Sequence, residues 1–239
     1  MSFYQELSRY YDEVFPVDIS DMQWLSERLT GRLRILDLGC GTGNKTEYLA
    51  APGREIFGLD LDKDMIDIAE TEHFKPGVKY LVGDITKASD YFLPKYFDGL
   101  ICLGNTLPHI LDRGLLASFL RSISGLMSSG GTAFFQILNY DTIIAERRRE
   151  LPLIETDHIV FRRYYDWSGA SLSFRTVLEV KGEGGPRYDN SVPLRPILQN
   201  ELIDLLSAAF GTMPVLYGGF QGEPFREDSF VLMAEVRRN

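Results

Sequence analysis

Short apolar runs alternate with segments of helical spacing between about residues 34 and 140. The apolar runs predict strands at residues 34–39, 56–61, 78–82, 97–103 and 132–138. The segments between them predict helices at residues 44–51, 63–72 and 115–127. Strands that alternate with helices form a parallel sheet that is covered on both faces. The pattern therefore predicts a Rossmann-like, doubly wound α/β fold.

After residue 140 the alternation of strands and helices stops. The sequence there predicts antiparallel strands at residues 157–167, 171–180 and 187–194. A helix at 199–209 and strands at 215–220 and 229–236 follow, so we expect a mostly parallel sheet with an antiparallel C-terminal strand. We interpret residues 151–196 as a small antiparallel β insertion within a single domain, 1–239. Residues 1–30 predict a helical cap with helices at 4–11 and 20–29, the second capped by Ser20.

The net charge and the placement of the cysteines argue against some classes of binding partner. The formal net charge of −9 argues against a nucleic-acid partner, which requires a basic field. The two cysteines stand apart from any cluster of metal-ligand residues, so no metal site is predicted. No signal-peptide pattern opens the sequence, and no apolar run reaches the roughly 20 residues that span a bilayer. We expect a reduced, cytoplasmic setting for this protein.

A glycine-rich segment, DLGCGTGN at residues 37–44, separates the first predicted strand from the first helix. Ligands of this architecture bind beyond the carboxyl ends of the strands, and glycines allow the backbone to approach them closely. The spacing is GxGxG. A dinucleotide fingerprint needs its third small residue where Asn44 stands. The acidic Asp37 suits a ligand that carries an ammonium and a sulfonium group.

Two further carboxylates follow the next strands. Asp60 ends the second strand, where it can accept hydrogen bonds from both hydroxyls of a ribose, and Leu61 can pack against an adenine. Asp84 ends the third strand, where it can accept from the adenine amino group while Ile85 covers the ring. Asp62 is predicted to cap the following helix. Together these residues predict a ligand of adenosine type.

The segments DLGCGTGN, GLDLD and VGDIT resemble the first three motifs of class I methyltransferases that depend on S-adenosylmethionine (AdoMet). The resemblance covers about residues 30–140 and implies AdoMet as the cofactor. It also implies that backbone groups at Leu103 hold the methionine end. The cofactor-binding residues predicted in this way are Asp37, Gly39, Cys40, Gly41, Gly43, Asp60, Leu61, Asp84, Ile85 and Leu103.

Three further segments resemble glycine and sarcosine N-methyltransferases: CLGNTLPH at 102–109, NYD at 139–141 and the stretch 217–230. This resemblance implies a small-molecule acceptor, most readily an amine, whose carboxylate contacts Asn139. The arginine that completes the carboxylate site in that group has no clear counterpart here, and the candidates are Arg163, Arg175 and Arg195. The absence of an NPPY-type motif argues against DNA as the acceptor.

Methyl transfer from a sulfonium to a neutral amine needs alignment more than it needs a base. His109 is the candidate base, with a structural hydrogen bond as the alternative reading. Tyr11, together with Tyr4, can fold over the cofactor or the acceptor or can serve in packing. The catalytic candidates are thus Asn139, His109 and Tyr11. The β insertion is expected to wall the acceptor pocket, with Tyr164, Tyr165 and Trp167 as candidate lining or as strand packing.

Other functions remain open at this point. An O-methyltransferase of small molecules is a close variant, and a non-catalytic AdoMet-binding protein of the same fold is a second alternative. A nicotinamide-dependent oxidoreductase is disfavoured because the sequence lacks GxGxxG and a catalytic Tyr/Lys or Cys/His arrangement.

Overall fold

The computed structural model describes residues 6–169 and 171–239. Its helices, apart from short 3-10 turns, are α1 Tyr11–Val14, α2 Ile19–Arg28, α3 Asn44–Tyr48, α4 Lys63–Glu72, α5 Ala88–Tyr91, α6 Arg113–Leu126, α7 Tyr140–Ala145 and α8 Gln199–Phe210. Its strands are β1 Arg34–Leu38, β2 Glu55–Asp60, β3 Val78–Val82, β4 Phe97–Cys102, β5 Met127–Leu138, β6 Ile154–Glu155, β7 Ile159–Ser168, β8 Ser171–Val180, β9 Arg187–Leu194, β10 Val215–Tyr217 and β11 Val231–Arg237.

Seven of the described strands form one sheet in the order β10-β11-β5-β4-β1-β2-β3. The five strands from β5 to β3 are parallel, whereas β11 pairs antiparallel with β5 and β10 antiparallel with β11. Strand β1 pairs with β2 on one side and with β4 on the other, so the strand order reverses there. The predicted fold class is confirmed, and a crevice is expected beyond the carboxyl end of β1.

Two apolar layers cover the sheet. Four residues of β1, from Ile35 to Leu38, are buried, as a central parallel strand requires. On one face, α6 contributes a stripe of buried residues that includes Phe119 and Ile123, and α8 packs beside it. On the other face, α2 contributes Met22 and Leu25, and α4 packs in the same layer. The helices therefore hold the strand ends in a fixed arrangement.

A second, four-stranded antiparallel sheet has the order β6-β7-β8-β9 and lies within the predicted insertion. Its Ile159, Phe161 and Leu178 form an apolar cluster with Leu7 and Val14 of the N-terminal segment. The second sheet and the N-terminal segment are therefore packed against each other. In the part of the chain that the structure describes, no helix is both long and apolar enough to cross a membrane.

Three local predictions differ from the structure. Asp18 caps α2, because its carboxylate accepts from the backbone N–H groups of Ser20 and Asp21, so Ser20 is not the cap. The N-terminal helix predicted at 4–11 is, in the described residues, a 3-10 turn at Ser8–Tyr10 followed by α1, and Tyr4 lies outside the described residues. Strand β5 begins five residues early, because Met127 pairs with Phe97 of β4 and a β-bulge separates this pair from the next one, at Thr132.

Candidate active site

The glycine loop at residues 39–43 joins β1 to α3 and is tied to the neighbouring strand. The Gly41 N–H donates to the Asp60 carboxylate at 2.8 Å, in a backbone conformation with a φ of +57°. Gly43 has a φ of +80°, and a methyl group built on it would lie 2.6 Å from the Tyr80 hydroxyl. Only glycine meets both demands at position 43, so the loop has the sequence that its path requires.

A main cavity of about 670 Å³ opens beyond the carboxyl ends of the parallel strands. This volume lies within the range of small-molecule sites. The cavity is lined by most of the predicted cofactor residues and by two predicted catalytic residues, namely Gly39, Gly41, Asp60, Leu61, Asp84, Ile85, Leu103, Tyr11 and His109. Residues that the sequence did not single out for a ligand site complete the lining, namely Asp62, Lys63, Asp64, Met65, Thr86, Gly104, Thr106, Ile110, Leu111 and Leu115.

Asp60 and Asp84 present carboxylates to the main cavity. Asp60 accepts from the N–H groups of Gly41 and Asp62 at 2.8 and 3.0 Å, which leaves lone pairs for a ligand. Burial raises the pKa of Asp60 above its ordinary value. Asp84 accepts from the backbone N–H and the hydroxyl of Thr86, which fixes its position. Asp62 caps α4, as the sequence predicts.

Apolar side chains form the rim of the main cavity. Leu61 is 72% exposed, Leu111 49% and Leu115 45%, although each is large and hydrophobic. Exposed apolar residues gathered around one cavity are typical of a ligand site that covers a flat, apolar group. The sequence did not predict Leu111 and Leu115 as ligand-site residues, because the apolar spacing there indicates only that a helix begins.

A small cavity of about 20 Å³ adjoins the main cavity and shares Tyr11, Gly39, Leu103 and Gly104 with it. Its remaining lining is Asp37, Cys40, Asn44 and Lys45. The buried Asp37 accepts from the Thr46 hydroxyl at 2.6 Å, and burial raises its pKa to about 7. Burial also raises the pKa of the Cys40 thiol. Gly43 lines neither of these two cavities and packs against Tyr80 instead.

The N-terminal segment is fastened to the glycine loop by Asp12. One carboxylate oxygen of Asp12 accepts from the Thr42 hydroxyl and from the Asn44 amide, the latter at 2.8 Å, while the other oxygen contacts His73 at 2.6 Å. The adjacent Tyr11 ring lies over the loop, so that a methyl group built on Gly41 would be 3.5 Å from it. No local pattern marks Asp12 as a site residue, because its partners are at least 30 residues away in the chain.

A second cavity of about 180 Å³ meets the main cavity at Tyr11, Gly104 and His109. Burial lowers the pKa of His109, which favours the neutral imidazole, and raises the pKa of Tyr11, which keeps its hydroxyl protonated. The rest of the lining comes from distant parts of the chain, namely Leu7, Phe15, Lys45, Asn105, Gln136, Leu138, Leu151, Phe161, Arg163, Phe174 and Thr176. Tyr11 and His109 thus stand at the junction of the two cavities.

Asn139 requires a correction. Its side chain caps α7, and its amide nitrogen lies 2.9 Å from the carbonyls of Glu227 and Ser229 and 3.0 Å from the Thr142 hydroxyl. It is buried and lines neither the main cavity nor the second cavity. The structure therefore gives Asn139 a structural role, in which its amide hydrogens are used, and it does not support contact with a substrate carboxylate.

The three candidate arginines occupy different places. Arg175 pairs with Asp189, and Arg195 pairs with Glu201. Arg163 lines the second cavity, and its buried Nε has no hydrogen-bond partner among the described residues.

None of the three aromatic residues considered for the pocket wall lines the main cavity or the second cavity. Tyr165 is buried in the core, the Trp167 indole donates to the Arg148 carbonyl, and Tyr164 lines a separate surface groove. Phe161 and Phe174 line the second cavity in their place.

Part of the chain is similar in sequence to known methyltransferases. Residues 35–131 match the family model of the methyltransferase domain. A ubiquinone biosynthesis O-methyltransferase of Proteus mirabilis is 31% identical over 127 residues, which cover 52% of this chain and 49% of that protein. The corresponding protein of Pseudomonas putida is 31% identical over 121 residues, 49% of this chain and 50% of that protein. The chain therefore spans about half the length of the curated relatives that it matches.

Solved structures resemble the whole chain. An S-adenosylmethionine-dependent methyltransferase from Clostridium acetobutylicum has a TM-score of 0.81 at 19% identity and covers 100% of both chains. An amino pentose methyltransferase from Micromonospora echinaspora, solved with AdoMet bound, has a TM-score of 0.73 at 17% identity and covers 98% of each chain. These likenesses show that the fold is shared.

Residues 35–131 therefore resemble a methyltransferase domain, and the chain shares the fold of AdoMet-dependent methyltransferases of solved structure, as the sequence predicts. The residues present fit AdoMet. Asp60 offers free lone pairs to a ribose, the leucine rim suits an adenine, and Asp37 offers a carboxylate near the place where Leu103 meets the glycine loop. When bound, AdoMet supplies an electrophilic methyl group.

Proposed function

We propose that this protein transfers a methyl group from AdoMet to the amine of a small molecule that also carries a carboxylate, as glycine and sarcosine do. The observation that carries the proposal is the second cavity, which meets the main cavity at Tyr11 and His109. An acceptor bound in the second cavity would lie next to a cofactor bound in the main cavity, with no solvent layer between them. Strands β7 and β8 contribute the wall on one side and the N-terminal segment covers the other, which supports the interpretation of residues 151–196 and 1–30.

The charges of the second cavity favour an acceptor that carries an anionic group. Its lining includes the cations Lys45 and Arg163, and no Asp or Glu among the described lining residues opposes them. The Arg163 guanidinium donates through Nη2 to the Pro152 carbonyl at 2.9 Å, and its buried Nε, which has no hydrogen-bond partner among the described residues, is suited to a carboxylate. Nearby cations also disfavour the protonated form of an amine. An amine in this cavity is therefore held as the neutral nucleophile, so that no strong base is required.

The chain's residues contribute mainly by orientation. Gln136 accepts from the Gly104 N–H at 2.7 Å and so fixes the backbone where the two cavities meet. The hydroxyl of Tyr11 stays protonated and can donate a hydrogen bond at the junction. Holding two reactants in line is worth several orders of magnitude in rate for bimolecular reactions, which matches a site without a strong base.

A hydroxyl acceptor is the second candidate, and the position of His109 favours it. His109 stands at the junction of the cavities with a pKa that burial lowers, so a neutral imidazole is available to take a hydroxyl proton. The curated relatives described above are named O-methyltransferases. The two candidates differ in their need for a base: His109→Ala should abolish methylation of an alcohol but reduce methylation of an amine only a few-fold.

The test is a panel of acceptors with S-adenosylhomocysteine formation as the readout. Glycine, sarcosine and ethanolamine separate the need for an amine from the need for a carboxylate, and a catechol represents oxygen acceptors. Arg163→Met should raise the KM of a carboxylate-bearing amine by about tenfold or more, as expected for a lost charge-assisted contact. Arg175→Met, which removes the same charge from a residue paired with Asp189, is the matched control. Turnover of the catechol alone would contradict the amine assignment.

We also keep a cytoplasmic location and a small-molecule partner as parts of this proposal. Fractionation of the native host cell, with the protein followed by antibody, tests the location.

A further inference from the structure

The second cavity is lined by two cations that come from different parts of the fold. Arg163 lies on β7 of the second sheet, whereas Lys45 lies in the first turn of α3, directly after the glycine loop. The described residues that line this cavity include no Asp and no Glu. A single carboxylate on the acceptor would therefore balance only one of the two charges.

Arg163 and Thr176 form one polar corner of the second cavity. They lie directly opposite each other in the pairing of β7 with β8, so their side chains project from the same face of the sheet. Both line the cavity, Thr176 is buried, and the buried Nε of Arg163 has no hydrogen-bond partner among the described residues. The guanidinium carbon lies 5.9 Å from the centre of the Phe15 ring, which packs against it. This corner fits one carboxylate.

Lys45 supplies the other positive charge. Burial lowers the pKa of its ammonium, while the charges of Asp37, Asp12 and Asp21 act in the opposite direction. These three carboxylates do not line the second cavity, and Lys45 makes no direct ion pair with any residue that the structure describes. A desolvated ammonium without a direct partner is costly in a folded protein, and an anion bound beside it would offset that cost.

The size of the second cavity limits the kind of molecule that can bring two anionic groups. Its volume of about 180 Å³ is below the roughly 300–1,000 Å³ that is typical of sites for drug-sized ligands. Both anionic groups must therefore belong to one small molecule, together with the amine that receives the methyl group. An amino acid with an anionic side chain has this composition.

We infer, on the premise of the proposed function, that the acceptor is an amino acid whose side chain carries a second anionic group, either a carboxylate or a phosphate. Arg163 and Thr176 hold the α-carboxylate, because the planar guanidinium matches a planar carboxylate. Lys45 holds the side-chain anion, because an ammonium acts as a point charge that accepts either group. The amine is then left to face the junction of the two cavities at Tyr11 and His109.

The experiment compares acceptors that differ only in the second charge. Calorimetry on the protein saturated with S-adenosylhomocysteine measures the Kd of aspartate against asparagine, of glutamate against glutamine, and of phosphoserine against serine. In at least one pair the wild type should bind the charged member about tenfold or more tightly than the neutral member. The pair with the largest ratio distinguishes a carboxylate from a phosphate.

Variants then test which cation is responsible for this ratio. Lys45→Met should reduce the ratio to about one, and Lys45→Arg should retain part of it. Arg163→Met should weaken both members of the pair by similar factors, so that the ratio stays the same. Lys79→Met is the control for a lost positive charge and should keep the full ratio, because Lys79 is exposed and paired with Glu55 outside both cavities.

The outcomes separate this inference from the proposed function. Ratios near one for all three pairs in the wild type would overturn the inference, and turnover of glycine or sarcosine would then leave the proposed function standing. A ratio that persists in Lys45→Met would also overturn it. Failure of every amine to bind or to react, with turnover of the catechol, would overturn the proposed function itself.

Discussion

The main cavity and the second cavity meet at Tyr11 and His109, yet they are built in different ways. The main cavity takes its key polar groups from the ends of adjacent parallel strands, so one architectural rule places Asp60 and Asp84. The second cavity combines the N-terminal segment, α3, the 104–109 stretch, the end of β5, Leu151 and two strands of the second sheet. Because most of these segments do not line the main cavity, we expect the second cavity to tolerate changes in its lining that leave the main cavity intact.

The two cavities also differ in charge. The main cavity presents carboxylates that are held by backbone N–H groups, such as Asp60 on Gly41. The second cavity presents cations, and among its described lining residues no carboxylate balances them. The first arrangement suits hydroxyls, amines and a sulfonium, and the second suits an anionic acceptor. Substitutions on the two sides should therefore act on different ligands.

The largest expected effect is on the cofactor side. Asp60→Ala removes the carboxylate that we propose binds the ribose, and it releases the Gly41 N–H that donates to this carboxylate. We expect the Kd of AdoMet to rise about tenfold to a hundredfold, since a hydrogen bond to a charged group contributes roughly 1.5–3 kcal/mol. Calorimetry measures this, with Asp228→Ala as control because Asp228 pairs with Arg226 in an exposed turn outside the main cavity. An unchanged Kd would remove Asp60 from the cofactor site.

Substitution of Asp12 should affect ligand binding in the main cavity and in the second cavity together. Asp12→Ala frees the N-terminal segment from Thr42, Asn44 and His73, and this segment lines both cavities through Tyr11. We expect a loss of about 1–3 kcal/mol in the free energy of unfolding, because buried partners lose a charged acceptor. We also expect several-fold weaker binding of both AdoMet and the acceptor. A denaturant titration and the two binding measurements check this, and an effect on one ligand alone would argue against the coupling.

The pH dependence of AdoMet binding tests whether the Asp37 carboxylate contacts the ligand. Its folded pKa of about 7 is raised by burial, so the carboxyl is largely protonated at pH 6. An ammonium of the ligand favours the ionised form, so binding at low pH must release a proton. The affinity for AdoMet should rise several-fold from about pH 6 to pH 7.5, and Asp37→Asn should flatten this rise. Calorimetry in buffers of different ionisation enthalpy reports the proton, and an equal rise in Asp37→Asn would assign it elsewhere.

The same group predicts the pH dependence of stability in the absence of ligand. The folded pKa lies above the unfolded value of about 4, so the folded state holds more protons between these values. The contribution of Asp37 to stability is therefore lost as pH rises from about 4 to 7. In Asp37→Asn this contribution should be absent from the denaturation curves.

The smallest expected effect on ligands belongs to Asn139. Because its amide ties α7 to the carbonyls of Glu227 and Ser229, Asn139→Ala should lower the free energy of unfolding by about 1–3 kcal/mol. The KM of the acceptor should change less than about twofold. Steady-state kinetics beside a denaturant titration separate the two effects. A large rise in KM with unchanged stability would restore the original prediction of a substrate contact.

Most of the cofactor residues that the sequence predicts line the main cavity, because these residues obey local rules. A glycine loop after a buried strand and an acidic residue at the next strand end are visible within a few positions of each other, as Gly41 and Asp60 show. The acceptor side could not be predicted in the same way. Arg163 was one candidate among three, and only the strand pairing and packing separate it from Arg175 and Arg195. Asp12 gave no local signal, since its partners are distant in the chain.

Asn139 shows a different limit. The NYD segment resembles a substrate-binding motif, yet the position after a strand and before a helix is also that of an N-cap. A sequence cannot show that the carbonyls of Glu227 and Ser229, about 90 residues later, occupy the amide. The sequence therefore predicted a substrate contact for Asn139, whereas in the fold Asn139 caps α7 and binds the carbonyls of Glu227 and Ser229.

The most direct test of the account is a crystal structure of the protein with S-adenosylhomocysteine bound. The account predicts the ribose hydroxyls on Asp60, the methionine portion beside Gly39 and Leu103, and the sulfur facing the second cavity between Tyr11 and His109. A ligand bound outside the main cavity, or one whose sulfur faces away from the second cavity, would contradict it.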